Sequence, residues 1–303
     1  MNSIPTEQNT PRQLQRLAAQ RQLYATAKTV FGWHLVATGP VTVAFAFSVA
    51  AFPALKGFAA LWGIFVTMCD IAWLTPWQKH LRDRAARIQE AFDCDVLEIP
   101  WHGIKTGNHP DPELVKQQAE KYKKWSRAMP TLSNWYPKDV GILPLHLARL
   151  VCQRANCWWD AHQRRQYANV AISFVIAIFI TILVLAVADG LTAEEFVVKV
   201  VAPLSPMLVL GCRQFIEQRG AATRLDNLKE HAERLWHDAL AGGLQSKTIE
   251  GSRSLQDEIF ENRRKSPFVF DCLFKSLRKD FNNQMNHGAA ELVTEAKQKL
   301  GLS

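Results

Sequence analysis

Four stretches of the chain are apolar on every face, and between them hydrophobic positions recur at helical spacing among charged ones. Val30 to Phe52 is the first apolar stretch and Phe58 to Trp73 the second, joined by the turn sequence FPALKG. Val170 to Ala188 is the third and ends at DGLTAEE. Phe196 to Phe215 is the fourth and weakest, with Lys199 near one end and Pro203 and Pro206 inside it. A membrane span needs about 20 apolar residues, or somewhat fewer with snorkelling ends. Three stretches meet that length comfortably and the fourth marginally. The run FVIAIFITILVLAV has no polar face, which disfavours a helix facing water. The competing reading is a pair of buried helical hairpins in a soluble protein.

The charged stretches predict further helices. KHLRDRAARIQEAF continues the second apolar stretch as an amphipathic helix. DCDVLEIPWHG alternates apolar and polar residues and predicts a short strand ended by Pro100 and Gly103. In GNHPDPELVKQQAEKYKKW, Asp111 suits an N-cap, Pro112 the first helical position and Glu113 the first turn. SNWYPKDVGILP is a loop, and the helix beginning near Leu145 runs without Gly or Pro into the third apolar stretch. Beyond Arg213, Ile216, Leu225, Leu228, Ala232, Leu235 and Ala239 fall near one stripe that suits packing against another helix. GGLQSKTIEGSRS reads as a flexible break. NRRKSPFVFDCLFKSLRKDF reads equally as a surface for anionic lipid or as a core-facing helix with a solvated charged face.

The fold class that follows is mainly α and integral to a membrane. It has two transmembrane helical hairpins, four spans in all, with a small α/β cytosolic insert and a helical C-terminal cytosolic tail. Residues 1–29 form an N-terminal cytosolic helix and 30–76 the first hairpin. Residues 77–167 form the insert and candidate ligand-sensing region, 168–215 the second hairpin, and 216–303 the tail.

Charge distribution sets the orientation. The 303 residues carry a formal charge of +8, and a mean hydropathy of −0.10 hides the partition into oily and charged blocks. Nearly all Lys and Arg lie in the N-terminal arm, in Gln78 to Tyr167 and after Arg213, which the positive-inside rule puts in the cytoplasm. Both termini are therefore expected inside, with only short turns outside. Met1 to Lys28 lacks the short apolar core of a secretory signal. The six cysteines form no CxxC pair, which argues against a zinc site or disulfide framework and for reduced thiols.

No nucleophile elbow, phosphate loop, HExxH or kinase signature is present, so catalysis, a metal and a cofactor are not expected. His102 and His109 flank a turn, and Asp93 and Asp95 read as surface carboxylates. The helix around Arg154 is richer. Arg149, Arg154, Asn156 and Trp159, with Trp135, Tyr136 and Lys138 from the preceding loop, combine guanidinium forks for phosphate with aromatic faces for bases. A nucleotide-like anion and a juxtamembrane Trp/Arg belt explain this composition equally well. Within the apolar stretches, Asn169, Ser173 and Thr181 share a broad face, and Asp70, Pro203 and Pro206 are candidates for pore lining or gating. Polar residues this mild also serve as helix–helix glue.

The chain resembles the SMODS-associated four-transmembrane effectors, pore-forming effectors of cyclic-oligonucleotide-based antiphage signalling (CBASS). The resemblance is carried by QNTPRQLQRLAAQRQLYATAK, by FDCDVLEIPW, most strongly by NWYPKDVGILPLHLARLVCQRANCWWDAHQRRQY, and more weakly by LDNLKEHAERLW. It implies a dormant protein of the bacterial inner membrane that binds a cyclic di- or trinucleotide made by a functionally linked synthase. It further implies assembly into a homo-oligomer that breaches the bilayer and aborts infection, with no DNA or RNA partner. A membrane-anchored receptor or scaffold without pore activity is the alternative, and a membrane enzyme acting on lipid or nucleotide a third.

Overall fold

The computed structural model describes the chain except residues 126–131, 189, 191, 198–200 and 302–303, and except the side chains of 46, 47, 50, 51, 53, 56, 125, 185, 202, 203, 206 and 271–277. All regular structure among the described residues is helical. The first half of the chain forms α1 (Ile4–Glu7), α2 (Pro11–Thr38), α3 (Pro40–Ala51), α4 (Lys56–Cys69), α5 (Thr75–Val96), α6 (Gly103–Thr106) and α7 (Pro112–Trp125). The second half forms α8 (Leu145–Ala188), α9 (Ala193–Phe196), α10 (Ala202–Leu240), α11 (Gln245–Lys265) and α12 (Asp271–Leu300). A π-helical turn, Asp70–Leu74, joins α4 to α5, and a 3₁₀ turn, Lys138–Ile142, precedes α8.

By its internal contacts the chain divides into two compact units. One comprises Met1–Thr26, Leu81–Arg164 and Gly220–Ser303; the other comprises Ala27–His80 and Arg165–Arg219, and so encloses the four apolar stretches. Helices α2, α5, α8 and α10 each carry residues of both units.

In the first unit the N-terminal segment, the middle of the chain and the tail share one core. Asn2 Nδ2 donates to the carbonyls of Val140 and Leu143, and Gln8 exchanges hydrogen bonds with both the backbone N–H and the carbonyl of Tyr136. Leu17, Leu23, Phe92, Leu97, Leu147, Leu150, Trp236 and Phe260 of this unit are each buried. A second cluster joins Cys157 and Ala161 of α8 to Leu225 and Ala232 of α10 and to Leu255 and Ile259 of α11. On the α10 stripe, Leu225 and Ala232 are therefore interior, whereas Ile216 is exposed.

Two local expectations are corrected. Among the described residues of the insert the expected strand is absent: Asp93 to Val96 are the last turn of α5, and the chain turns away at Glu98, whose φ is 51°. Nearly every residue from Ala85 to Leu97 is buried, so this end of α5 is enclosed on most of its faces. Of GGLQSKTIEGSRS only Gly242 to Leu244 break the helical run; from Gln245 the stretch belongs to α11 and buries Thr248 and Ser252. There Gly251 lets α11 approach α10, because a Cβ would lie 2.7 Å from Leu235 Cδ2. Phe268, Val269 and Phe281 are buried, which fits the core-facing reading of that basic, aromatic stretch.

In the second unit the first apolar stretch is not one helix. Pro40 has no N–H to continue the ladder of α2, so the helix stops at Thr38 and α3 starts anew. At this junction the Ala37 carbonyl accepts from Thr42 Oγ1 at 3.2 Å and from Trp62 Nε1 at 3.3 Å. Helices α8 and α10 pack closely where Gly211 meets Val175, since a Cβ at Gly211 would collide with Val175 Cγ2. The outward faces carry Phe58, Leu61, Ile64, Phe65 and Met68 on α4, and Val170, Phe174, Ile176, Ile180 and Val184 on α8. Two continuous helical stretches, Gly57–Val96 and Leu145–Ala188, are long and apolar enough to cross a membrane. Only 6% of the apolar window in each is buried, so neither is the core helix of a soluble protein.

Candidate functional site

The residues expected to contact a ligand are held in separate settings. Arg149 is buried; its Nε donates to the Leu97 carbonyl at 2.6 Å and its Nη2 to that of Glu98, clamping the reversal after α5. Burial depresses its pKa below the ordinary arginine value. Arg154 Nε pairs with Glu233 Oε1 of α10 at 2.8 Å. Trp159 Nε1 donates to Asn282 Oδ1 of α12, with the Phe281 ring edge-on beside it. Tyr136 is buried and stacks on Phe92, while Trp135 is half-buried and meets the same Phe92 edge-on. Asn156 is half-buried and Lys138 is exposed. Phe92 thus brings Trp135 and Tyr136 together, whereas Arg149, Arg154 and Trp159 each attach α8 to a different part of the first unit.

Beneath Tyr136 lies a polar interior that the sequence reading left on the surface. Asp93 is fully buried, not a surface carboxylate. Its Oδ1 accepts from the Tyr136 hydroxyl at 2.6 Å, and its Oδ2 from Arg263 Nη1 and from Gln256 Nε2. Glu90, also fully buried, accepts from Arg253 Nη2 at 3.0 Å and Gln256 Nε2 at 2.8 Å. Gln153 of α8 extends the set to Gln256 and Ser252. Arg253 reaches on to Asp257, whose Oδ2 lies 2.7 Å from His102 Nδ1. His109, for its part, stacks on Trp101. Two carboxylates and two guanidiniums therefore balance in the interior between α5 and α11.

The electrostatics follow from burial. Glu90 is pushed above the usual carboxylate range by burial and then by Asp93 beside it. Burial alone would lower the pKa of Arg263, but Asp93, Tyr136 and Glu90 raise it above the ordinary value and keep it charged. Burial likewise drives the Tyr136 hydroxyl and the Cys152 thiol well up, and Cys157 to about 12. These thiols stay protonated and are not nucleophiles.

In the second unit, Asn169, Ser173 and Thr181 are all exposed along α8. Thr181 Oγ1 donates to its own helix at the Ala177 carbonyl. Asp70 accepts from Thr75 Oγ1 at 2.8 Å, five residues on, a pairing that the π-helical turn brings into register. His34 Nδ1 lies 3.4 Å from the same Asp70 oxygen. The backbone of α10 is helical through Pro203 and Pro206, whose side chains lie outside the described residues.

A sequence model of the SMODS-associating 4TM effector domain matches residues 2–292. The chain belongs to that family. The family's four-transmembrane description and the outward apolar faces of α4 and α8 together make this a membrane protein. A relative in Bacillus cereus (strain VD146), named a probable CBASS effector molecule, is 24% identical over 194 residues. That match spans 63% of this chain and 63% of the relative, so just under two thirds of the relative's length is covered. No solved structure matches the chain significantly.

Proposed function

We propose that this protein is an antiphage effector that binds a cyclic di- or trinucleotide through its first unit, assembles with further copies and permeabilises the bacterial inner membrane through its second. Membership of a family of 4TM effectors supports the effector role, as does a relative named for CBASS. The observation that carries the mechanism is the continuity of α8, which runs from Leu145 to Ala188 without a break. Its first half is built into a charge-rich core and its second half exposes an apolar surface to lipid. A ligand shifts such a system only by binding the open or assembled state better than the resting one.

In this reading the four apolar segments are four spans with both termini cytoplasmic, following the excess of Lys and Arg in the first unit. Asn169, Ser173 and Thr181 are exposed on one chain and are available to a second copy. A linked synthase supplies the nucleotide; neither nucleic acid nor a catalysed reaction is involved. Dye release from liposomes holding the purified protein, titrated with a panel of cyclic di- and trinucleotides, tests the whole. Release with one member is the expected result. Binding without release would favour a membrane-anchored receptor or scaffold. One observation supports that second reading: the Thr38, Thr42, Thr67 and Thr181 hydroxyls all donate to helix carbonyls rather than towards a water path.

A further inference from the structure

Three tryptophans of the second unit are turned outward. Trp33 of α2, Trp73 of the π-helical turn and Trp77 of α5 are 69%, 68% and 51% exposed. Among the described residues no acceptor meets the indole N–H of any of the three. By contrast Trp62, Trp101, Trp159 and Trp236 each donate to the protein. A measured contact sets the heights of the outward three. His34 Nδ1 lies 3.4 Å from Asp70 Oδ1. Trp33 directly precedes His34, Trp73 follows Asp70 by three residues, and Trp77 is about one turn further on. The three rings therefore occupy a band about 10 Å deep along the helix axes. On one side of the band α4 exposes Phe58, Leu61, Phe65 and Met68. On the other, α5 exposes Lys79 and His80. Helix α10 shows the same mixture of apolar surface and cation within a few turns, exposing Val209, Arg213, Ile216 and Arg219.

Resting on the four-span reading above, we propose that this band is the level at which the second unit meets the cytoplasmic headgroup layer, and that the lipid it takes there is anionic phospholipid. An indole is apolar over most of its area but carries one N–H donor. Hydrocarbon leaves that donor unmet, whereas the ester carbonyls and phosphates of the interface satisfy it. Three unmet donors side by side, where the exposed surface changes from apolar to cationic, fit that layer. Lys79, two residues beyond Trp77, then reaches the phosphates, and Arg213 does so from α10; both gain from a negatively charged leaflet. Trp158 and Trp159 of α8, which composition alone would put in such a belt, are engaged within the first unit. Trp158 stacks on His162, Trp159 donates to Asn282 Oδ1, and Phe281 stands edge-on to both. Tilting α2 or α5 would draw the outward indoles away from their acceptors, so the belt holds the unit at one depth.

The depth is tested on the full-length protein in vesicles, by quenching with lipids brominated either beside the headgroup or at the tip of the acyl chain. The emission that Trp33→Phe, Trp73→Phe and Trp77→Phe each remove is obtained by subtraction from wild type. It should be quenched severalfold more by bromine beside the headgroup than by bromine at the chain tip. Trp62, eleven residues before Trp73 and so about 16 Å deeper, is the control and should show the opposite order. Stronger quenching of the three by the chain-tip lipid would place them in hydrocarbon, and quenching by neither while Trp62 is quenched would leave them in water. Either result overturns the belt and leaves the four-span reading standing. Quenching of no tryptophan by either lipid would overturn both. For the choice of lipid, melting is followed in nanodiscs of phosphatidylcholine with and without phosphatidylglycerol. Wild type should melt higher with the anionic lipid, less so at high salt, and Lys79→Gln combined with Arg213→Gln should lose most of that shift. No shift in wild type, or a full shift in the double variant, would overturn the binding of anionic lipid at these cations. No nucleotide enters either measurement, so the nucleotide reading stands or falls separately.

Discussion

The Tyr136 hydroxyl donates a 2.6 Å hydrogen bond to Asp93 Oδ1, and both residues are buried. This one contact fastens the loop before α8 to the end of α5, above the interior occupied by Glu90, Gln256 and Arg263. It gives Tyr136 a place in the fold independent of any ligand. Tyr136→Phe is expected to lower stability by about 1–3 kcal/mol, because Asp93 loses one donor in a dry setting. Nucleotide affinity should stay within a factor of about two of wild type. Denaturant melts and calorimetry on the same preparation check both halves, and a selective loss of affinity would return Tyr136 to the ligand site.

Arg154 and Glu233 give a milder prediction. The pair is 2.8 Å long with side chains 22% and 29% exposed, so solvent screens it. Arg154→Ala should cost about 1 kcal/mol or less. The exchanged pair Arg154→Glu with Glu233→Arg should recover most of the loss. Unchanged ligand binding in the single variant would identify Arg154 as a fastening between α8 and α10. A large loss of binding at full stability would make it a contact.

Glu90 predicts a pH dependence. Its folded pKa is raised above the ordinary carboxylate value by burial and then by Asp93. Between the ordinary and the raised value the folded chain holds more protons than the unfolded chain, so this residue's contribution to stability falls as pH rises through that window. Glu90→Gln mimics the neutral form. It is expected to melt at or above wild type at pH 8, with the difference shrinking as the pH approaches the ordinary carboxylate value. A variant less stable at every pH would mean that the ion pair with Arg253 outweighs the burial.

In the second unit the contact of Gly211 with Val175 is open to a direct test. Replacing a helical Gly by Ala ordinarily stabilises by about 1 kcal/mol. Here the added carbon collides with Val175 Cγ2, and Gly211→Ala should destabilise instead. Val175→Ala, which removes that atom, should restore the double variant. Melting of the single and double variants in detergent settles the sign.

How far the sequence reveals all this depends on which residues carry the signal. The apolar runs are legible because nothing interrupts FVIAIFITILVLAV, and helical order is legible around Leu225 and Ala232. The end of α5 was not. DCDV alternates like a strand, yet Asp93 is buried while Asp95 is partly exposed, and an alternation rule presumes that polar means outside. The same presumption hid α11, where Ser252, Gln256 and Asp257 face a polar interior rather than solvent. A signal was available: Arg253, Gln256, Phe260 and Arg263 recur at helical spacing, opposite Glu90 and Asp93 with the same period. The loop before α8 announced its aromatic residues, but only the fold sets Arg21 over Trp135. A chain read in one dimension holds no information that those segments meet.

The unbroken course of α8 leaves no slack. A loop absorbs an inserted residue, but a helix passes it on as rotation. One residue added after Arg165 would turn the face bearing Asn169, Ser173 and Thr181 by about 100° against the face bearing Cys157 and Ala161. Seven residues, close to two full turns, would nearly restore the original phase while lengthening the rod by about 10 Å. The register of this helix, as much as any side chain along it, is therefore a setting of the molecule.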